Sequence, residues 1–202
     1  MREIIYYSKN AVTSPKLIKE DLMKAGRLDI ACSIIKDSFF YSHNVREDVK
    51  LHLIFAGGPD HPKHIEIFPH KISIKSKNNI DMSKKDIANL IGKILDGHVR
   101  GKKTEVLPNI FIEKKGLREL IEELQEQGKE ILLLDKKGEF IREAKIPNNS
   151  VFIFGDQDGF PKYELRYLRQ NKIRRINLGP KMYFAIQSLI ILQNELDIRE
   201  LF

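Results

Sequence analysis

The chain has 202 residues, 42% hydrophobic and 31% charged, enough for one sizeable core. No run approaches the roughly 18 apolar residues of a membrane-spanning helix, and the single cysteine, Cys32, excludes an internal disulfide and any multi-cysteine zinc site, in keeping with a reducing cytoplasm. The net charge of +7 favours a polyanionic partner such as nucleic acid, although a Lys- and Glu-rich surface also suits the ion-pair networks of a thermophilic protein.

Arg2 to Tyr7 reads as a strand with early charges rather than as a secretion signal. Ser14-Pro15 opens an expected helix, with apolar residues at Leu17, Ile18, Leu22 and Met23. A second helix is expected from Asp29 to about Ser38, and Val49 to Phe55 is a strand ending in Ala56-Gly57-Gly58-Pro59-Asp60. Lys63 to Phe68 and Lys71 to Ile74 read as a strand pair, a possible small insertion over residues 63–75. Ser83 to Leu95 is an amphipathic helix stopped by Gly97.

Beyond the polar loop Gly101 to Glu105, Val106 to Ile112 reads as one short strand interrupted by Pro108. Gly116 to Gln127 is a helix, and Glu130 to Leu134 a buried strand ending in Asp135. A Lys-Lys-Gly turn at 136–138 leads to an edge segment. Then follow the Val151 strand, the Pro161 to Gln170 helix, the Ile173 to Leu178 strand and the Tyr183 to Leu196 helix. Strands alternating with helices predict an α/β fold with a mostly parallel sheet in one domain, residues 1–202.

Three strand-end loops stand out: Leu132 to Asp135, Phe154 to Gly159, and Asn177 to Tyr183. Any one of them alone reads as a tight turn. Together, at the carboxyl ends of strands in one parallel sheet, they mark where such a sheet takes its ligand. None is a phosphate loop, since neither G-x-x-x-x-G-K-[ST] nor G-x-G-x-x-G occurs. Backbone amides and apolar side chains there suit an adenine and a ribose better than a triphosphate.

The loops Val151 to Phe160 and Ile176 to Met182 resemble the cofactor loops of the SPOUT methyltransferases, which bind S-adenosylmethionine in a trefoil knot. Arg2-Glu3, Ser38-Phe39-Phe40, Phe55 to Asp60, Phe154 to Phe160 and Leu178-Gly179-Pro180 are similar to a narrower group, the archaeal TrmY enzymes that methylate N1 of pseudouridine at position 54, in the T-loop of tRNA. The resemblance implies a deep trefoil knot within about residues 130–202 behind an N-terminal α/β extension. It also implies a homodimer with active sites at the subunit interface. Cofactor contacts would come from Leu134, Gly155, Leu178, Gly179, Pro180, Lys181, Met182 and Tyr183, with Ser188 one helical turn further on. The final helix, apolar nearly all round from Phe184 to Leu192, fits threading and dimer packing, or a plain core helix.

Methyl transfer from a sulfonium is an in-line displacement that needs no metal and no second cofactor. N1 of pseudouridine carries a weakly acidic proton, so a carboxylate could accept it or a cation could stabilise the anion. Asp60, Asp156 and Asp158 are the candidate carboxylates; Asp60 is equally an ordinary turn residue, and Asp156, favoured by its place in the cofactor loop, can instead orient loop amides. Arg100, in a basic loop, could clamp a phosphate or simply be solvated. His61, His64 and His70 fit no standard zinc spacing, and Cys32 reads as core. Three functions compete: a cytoplasmic tRNA pseudouridine N1-methyltransferase, a Nep1-type rRNA pseudouridine methyltransferase, and a non-catalytic RNA-binding protein. Intact Gly155, Gly159 and Gly179 weigh against the last.

Overall fold

The computed structural model describes residues 1–42, 44–68 and 83–200. In chain order the elements are β1 (Arg2–Ser8), a 3-10 turn (Pro15–Leu17), α1 (Leu28–Phe39), β2 (Phe40–Tyr41), β3 (Asn44–Val45), β4 (Val49–Phe55) and β5 (Lys63–Ile67). They continue with α2 (Lys84–Asp96), β6 (Thr104–Leu107), β7 (Ile110–Glu113), α3 (Leu117–Glu126), β8 (Glu130–Phe140), β9 (Ser150–Gly155), α4 (Lys162–Gln170), β10 (Arg174–Asn177) and α5 (Ala185–Glu200).

One eight-stranded sheet has the order β10-β8-β9-β1-β4-β5-β7-β6. The five strands from β10 to β4 are parallel. From β4 outward, β5, β7 and β6 pair antiparallel. Central β1 is buried along its whole length because both of its faces are covered. Ile4 and Tyr6 join the core packed by α1, α2 and α5, while Ile5 and Tyr7 join the core of α3 and Leu168 on the other side. Arg2 ties the start of β1 to the end of α5 through Asp197 at 2.6 Å and Glu200 at 2.9 Å.

Several sequence expectations change. The helix expected at Ser14 is only the 3-10 turn: Ser14 makes no side-chain cap, and Leu17 and Met23 are exposed. Its backbone bonds go instead to loop closure, with Leu28 N donating to Leu22 O and Val12 N to Ala25 O. Val106 to Ile112 is not one strand but the hairpin β6–β7, because Asn109 after Pro108 turns the chain at a left-handed φ of 61°. Residues 136–138, expected as a turn, fall inside β8, which meets β10 in two blocks, Leu132–Leu133 against Arg174–Arg175 and Glu139–Phe140 against Ile176–Asn177. Residues 134–138 between the blocks pair with no residue of β10 and bulge out, with Lys137 N donating to Asp135 Oδ1 at 2.8 Å as in an Asx turn. A side chain on Gly138 would come 2.5 Å from the Arg175 and Ile176 backbone, so only glycine allows this crossing. Strand β5 sits inside the sheet between β4 and β7, whereas the expected strand Lys71 to Ile74 and His70 lie outside the described residues.

Candidate active site

The break in β8 after Leu133, the carboxyl ends of β9 and β10 and the start of α5 enclose a cleft of about 540 Å³. Leu134, Gly155, Leu178, Lys181, Met182, Tyr183 and Ser188 line it; Gly179 and Pro180 belong to the same loop without lining the cleft. Each wall follows from local structure. Strand β9 ends in Gly155, where a Cβ would lie 3.0 Å from the Gly159 backbone, so the 155–159 loop can fold tightly back. The loop after β10 is pinned by Asn177, whose Oδ1 accepts from Gly179 N at 2.6 Å. Leu134, Phe154 and Leu178 supply apolar surface next to the Asp135 and Asp158 carboxylates. A cleft of this size, with apolar walls, a few polar groups and accessible backbone, fits a nucleoside-sized cofactor such as S-adenosylmethionine.

The loop after β1, residues 8–13, was not singled out from sequence, yet it joins the cleft to the next strand end. Ser8 Oγ and Lys9 N donate to Asp156 Oδ2 at 3.1 and 2.9 Å, and Asn10 Nδ2 donates to Asp158 Oδ2 at 2.8 Å. On its other side Thr13 Oγ1 donates to Gly57 O at 3.0 Å and accepts from Asp60 N at 2.9 Å. The available signal was a polar Ser8-Lys9-Asn10 run directly after an apolar strand. Asp156 is buried and also accepts Asp158 N at 2.9 Å; burial pushes its carboxyl pKa up, against these hydrogen bonds. Its geometry is that of a holder of loop amides.

Asp60 lies across this bridge. Lys114 Nζ donates to its Oδ1 and Lys63 Nζ to its Oδ2, each at 2.6 Å. The hydrogen bonds from Lys114 and Lys63 hold the Asp60 carboxyl well below the ordinary carboxylate range. Lys63, itself buried, reaches His98 Nδ1 at 2.9 Å, which brings the 98–103 loop beside Asp60. Burial and the neighbouring Lys63 charge lower the His98 pKa. Arg100 stands exposed in that loop, with no ion-pair partner among the described residues. Lys63, Lys114 and His98 were missed because their pairing arises only when β5, β7 and the loop after α2 come together.

Cys32 is fully buried in α1, and burial pushes its thiol up to about 12, which makes it inert. Among the described residues one group could hold a metal, His52, His64 and Glu66. His52 Nδ1 and His64 Nε2 are 2.8 Å apart, a hydrogen-bond separation, and Glu66 already faces Lys50 at 3.3 Å and Lys103 at 3.1 Å. No helix among these residues is long and apolar enough to cross a membrane.

A family model described as "Putative SAM-dependent RNA methyltransferase" matches residues 1–201. The tRNA (pseudouridine(54)-N(1))-methyltransferase of Methanocaldococcus jannaschii is 33% identical over 201 residues, covering 98% of this chain and 97% of that protein. A Vibrio parahaemolyticus protein named "Putative pseudouridine methyltransferase" is 32% identical over 203 residues, covering 99% and 100%. Among solved structures, Archaeoglobus fulgidus Nep1 bound to S-adenosylhomocysteine superposes with a TM-score of 0.63 over 100% of this chain and 99% of that one; at 13% identity the likeness is one of fold.

Proposed function

The chain belongs to the SAM-dependent RNA methyltransferase family whose model spans residues 1–201, and from that premise we propose that it transfers the methyl group of S-adenosylmethionine to N1 of pseudouridine 54 in tRNA. The observation that carries this reading is the meeting of three strand-end loops in one nucleoside-sized cleft, in a chain that aligns end to end with a tRNA pseudouridine methyltransferase. The rRNA alternative is weaker, since the Nep1 likeness is one of fold at 13% identity, whereas a full-length relative at 33% identity is named for tRNA.

In this reading the backbone of Leu134, Gly155 and Leu178 to Tyr183, with Ser188, holds the cofactor. Bound there, S-adenosylmethionine supplies an electrophilic methyl and a neutral thioether leaving group. The chain's own task is chiefly positioning, which can lower a barrier by roughly 7–11 kcal/mol when geometry is well set. Asp156 fixes the β1 loop against the cleft, Asp60 works at the substrate end of that loop, and Arg100 meets RNA phosphate.

A trefoil knot fits the two-block pairing of β8 with β10 and the close crossing at Gly138. A homodimer fits the exposed apolar side chains of Met182, Phe184 and Ile190 beside the cleft. The enzyme would act in the cytoplasm, where tRNA is modified. Incubating purified enzyme with S-adenosylmethionine and either tRNA or rRNA, followed by nucleoside mass spectrometry, tests the substrate directly.

A further inference from the structure

We propose that the Lys114 ammonium group, aimed by Asp60 and backed by Lys63, touches the pyrimidine ring and holds the negative charge that appears when N1 loses its proton. The inference rests on the reading of the protein as a pseudouridine N1-methyltransferase and deepens it by naming the group that stabilises the reacting base.

The argument begins with the saturation of Asp60. Its two carboxylate oxygens each receive an ammonium at 2.6 Å, and its backbone N–H is held by Thr13 at 2.9 Å. A carboxylate so occupied is poorly disposed to take a proton. The cluster of Asp60, Lys63 and Lys114 holds two cations against one anion, and His98 accepts from Lys63 at 2.9 Å without adding a carboxylate. The surplus is one positive charge. That sign suits an anion formed by losing a proton and does not suit a base that gains one.

The two lysines differ in access. The Lys63 side chain is 2% exposed, sealed under Asp60, and is a positioning residue. The Lys114 side chain is 48% exposed, so its ammonium is open to solvent and to a ligand. Both are registered to the cofactor cleft through Thr13 and the 8–13 loop, whose other end is fastened to Asp156 and Asp158.

The step balances as follows. The N1–H bond breaks and the proton leaves to solvent water or hydroxide. The ring carries the charge on N1 and its two carbonyl oxygens, and Lys114 donates to one of those oxygens. The N1 electron pair then forms the N1–CH3 bond as the C–S bond breaks, leaving its electrons on sulfur. The products are a neutral methylated ring and a thioether.

The test is the pH profile of the single-turnover methyl-transfer rate, with saturating S-adenosylmethionine and a tRNA bearing pseudouridine at position 54. In the native enzyme the rate rises with pH to a plateau, with an apparent pKa below that of free pseudouridine N1. In Lys114→Ala the midpoint moves up by about one unit or more, and the rate at neutral pH falls by roughly 10²-fold, the effect of losing one preorganised donor to a developing anion. Lys114→Arg keeps the cation and recovers most of the rate. Lys63→Met moves the midpoint the same way without raising the KM for tRNA; its circular dichroism is checked first, and the surface variant Lys114→Ala keeps the test decisive if Lys63→Met does not fold. An unchanged midpoint in Lys114→Ala overturns the proposal. So does a loss confined to tRNA KM, which would make Lys114 a phosphate contact. So does a Lys114→Ala enzyme of native rate beside an Asp60→Asn enzyme that is dead at every pH, which would restore Asp60 as the base. Absence of N1-methylpseudouridine with the native enzyme would sink the underlying reading instead.

Discussion

At the scale of single residues, what glycine permits was legible and what ion pairs build was not. Gly155 and Gly179 could be read because glycines at or just after strand ends mark tight backbone: a Cβ at Gly155 would lie 3.0 Å from the Gly159 backbone, and Gly179 takes a φ of 154°. Lys63 and Lys114 could not, because a lysine in or just after a strand of a basic protein reads as solvated; only their shared hold on Asp60 sets them apart. Asp156 and Asp60, alike as candidate bases in the sequence, diverge in the fold: one is buried among N–H donors, the other lies between two ammonium groups. Gly155 gives a direct test of the cleft. A side chain there would start 3.0 Å from the Gly159 backbone, so Gly155→Val should displace the loop and abolish S-adenosylmethionine binding by calorimetry. Its circular dichroism should stay native. Unchanged affinity would remove this loop from the cofactor site.

At the scale of elements, periodic segments with clean stop signals were legible. Strand β4 has the bounds expected for Val49 to Phe55, and α2 starts at Ser83 with both halves of its capping box formed with Asp86. The segments that failed are those where tertiary contacts outweigh local pattern. Residues 14–23 keep helical spacing but place Leu17 and Met23 in solvent, and a helix with no buried stripe gains little. The Lys-Lys-Gly stretch at 136–138 looks like the end of a strand, yet β8 resumes after it, because Glu139 and Phe140 pair with β10. The 8–13 loop shows how an unremarked connection can matter: it is the strut between the cleft and the Asp60 loop. Asp156→Ala removes the acceptor for Ser8, Lys9 and Asp158 and should cost about 1–3 kcal/mol of stability. It should also weaken cofactor affinity and turnover together. A variant with native denaturation midpoint and native affinity would show that the strut is not needed.

At the scale of the whole molecule, the parallel half of the sheet was legible from strand–helix alternation, whereas the antiparallel flank β5-β7-β6 was hidden by its short, interrupted strands. Buried carboxylates on β1 and on that flank link stability to pH. Burial raises the Glu3 carboxyl pKa, but hydrogen bonds from His52 and Lys129 outweigh it and bring it down to about 2. Glu113 likewise falls to about 2, burial being outweighed by His64 and Lys115. Folded values below the ordinary 4.5 mean that this stabilisation is complete above that pH and fades as pH falls toward about 2. The denaturant midpoints of native protein and Glu3→Gln should therefore differ at neutral pH and converge between about pH 4.5 and 2; a constant gap would argue against the linkage. Assembly has its own check. With Met182 78% and Phe184 72% exposed, light scattering should give twice the 23.5 kDa chain mass at micromolar concentration, and Phe184→Glu should lower it; a native monomer would leave this surface unexplained. The most direct test of the central claim is nucleoside mass spectrometry of tRNA carrying pseudouridine 54, after incubation with enzyme and S-adenosylmethionine. The account predicts N1-methylpseudouridine at position 54 in tRNA and none in rRNA treated alike; a methyl group found only in rRNA, or in neither, would contradict it.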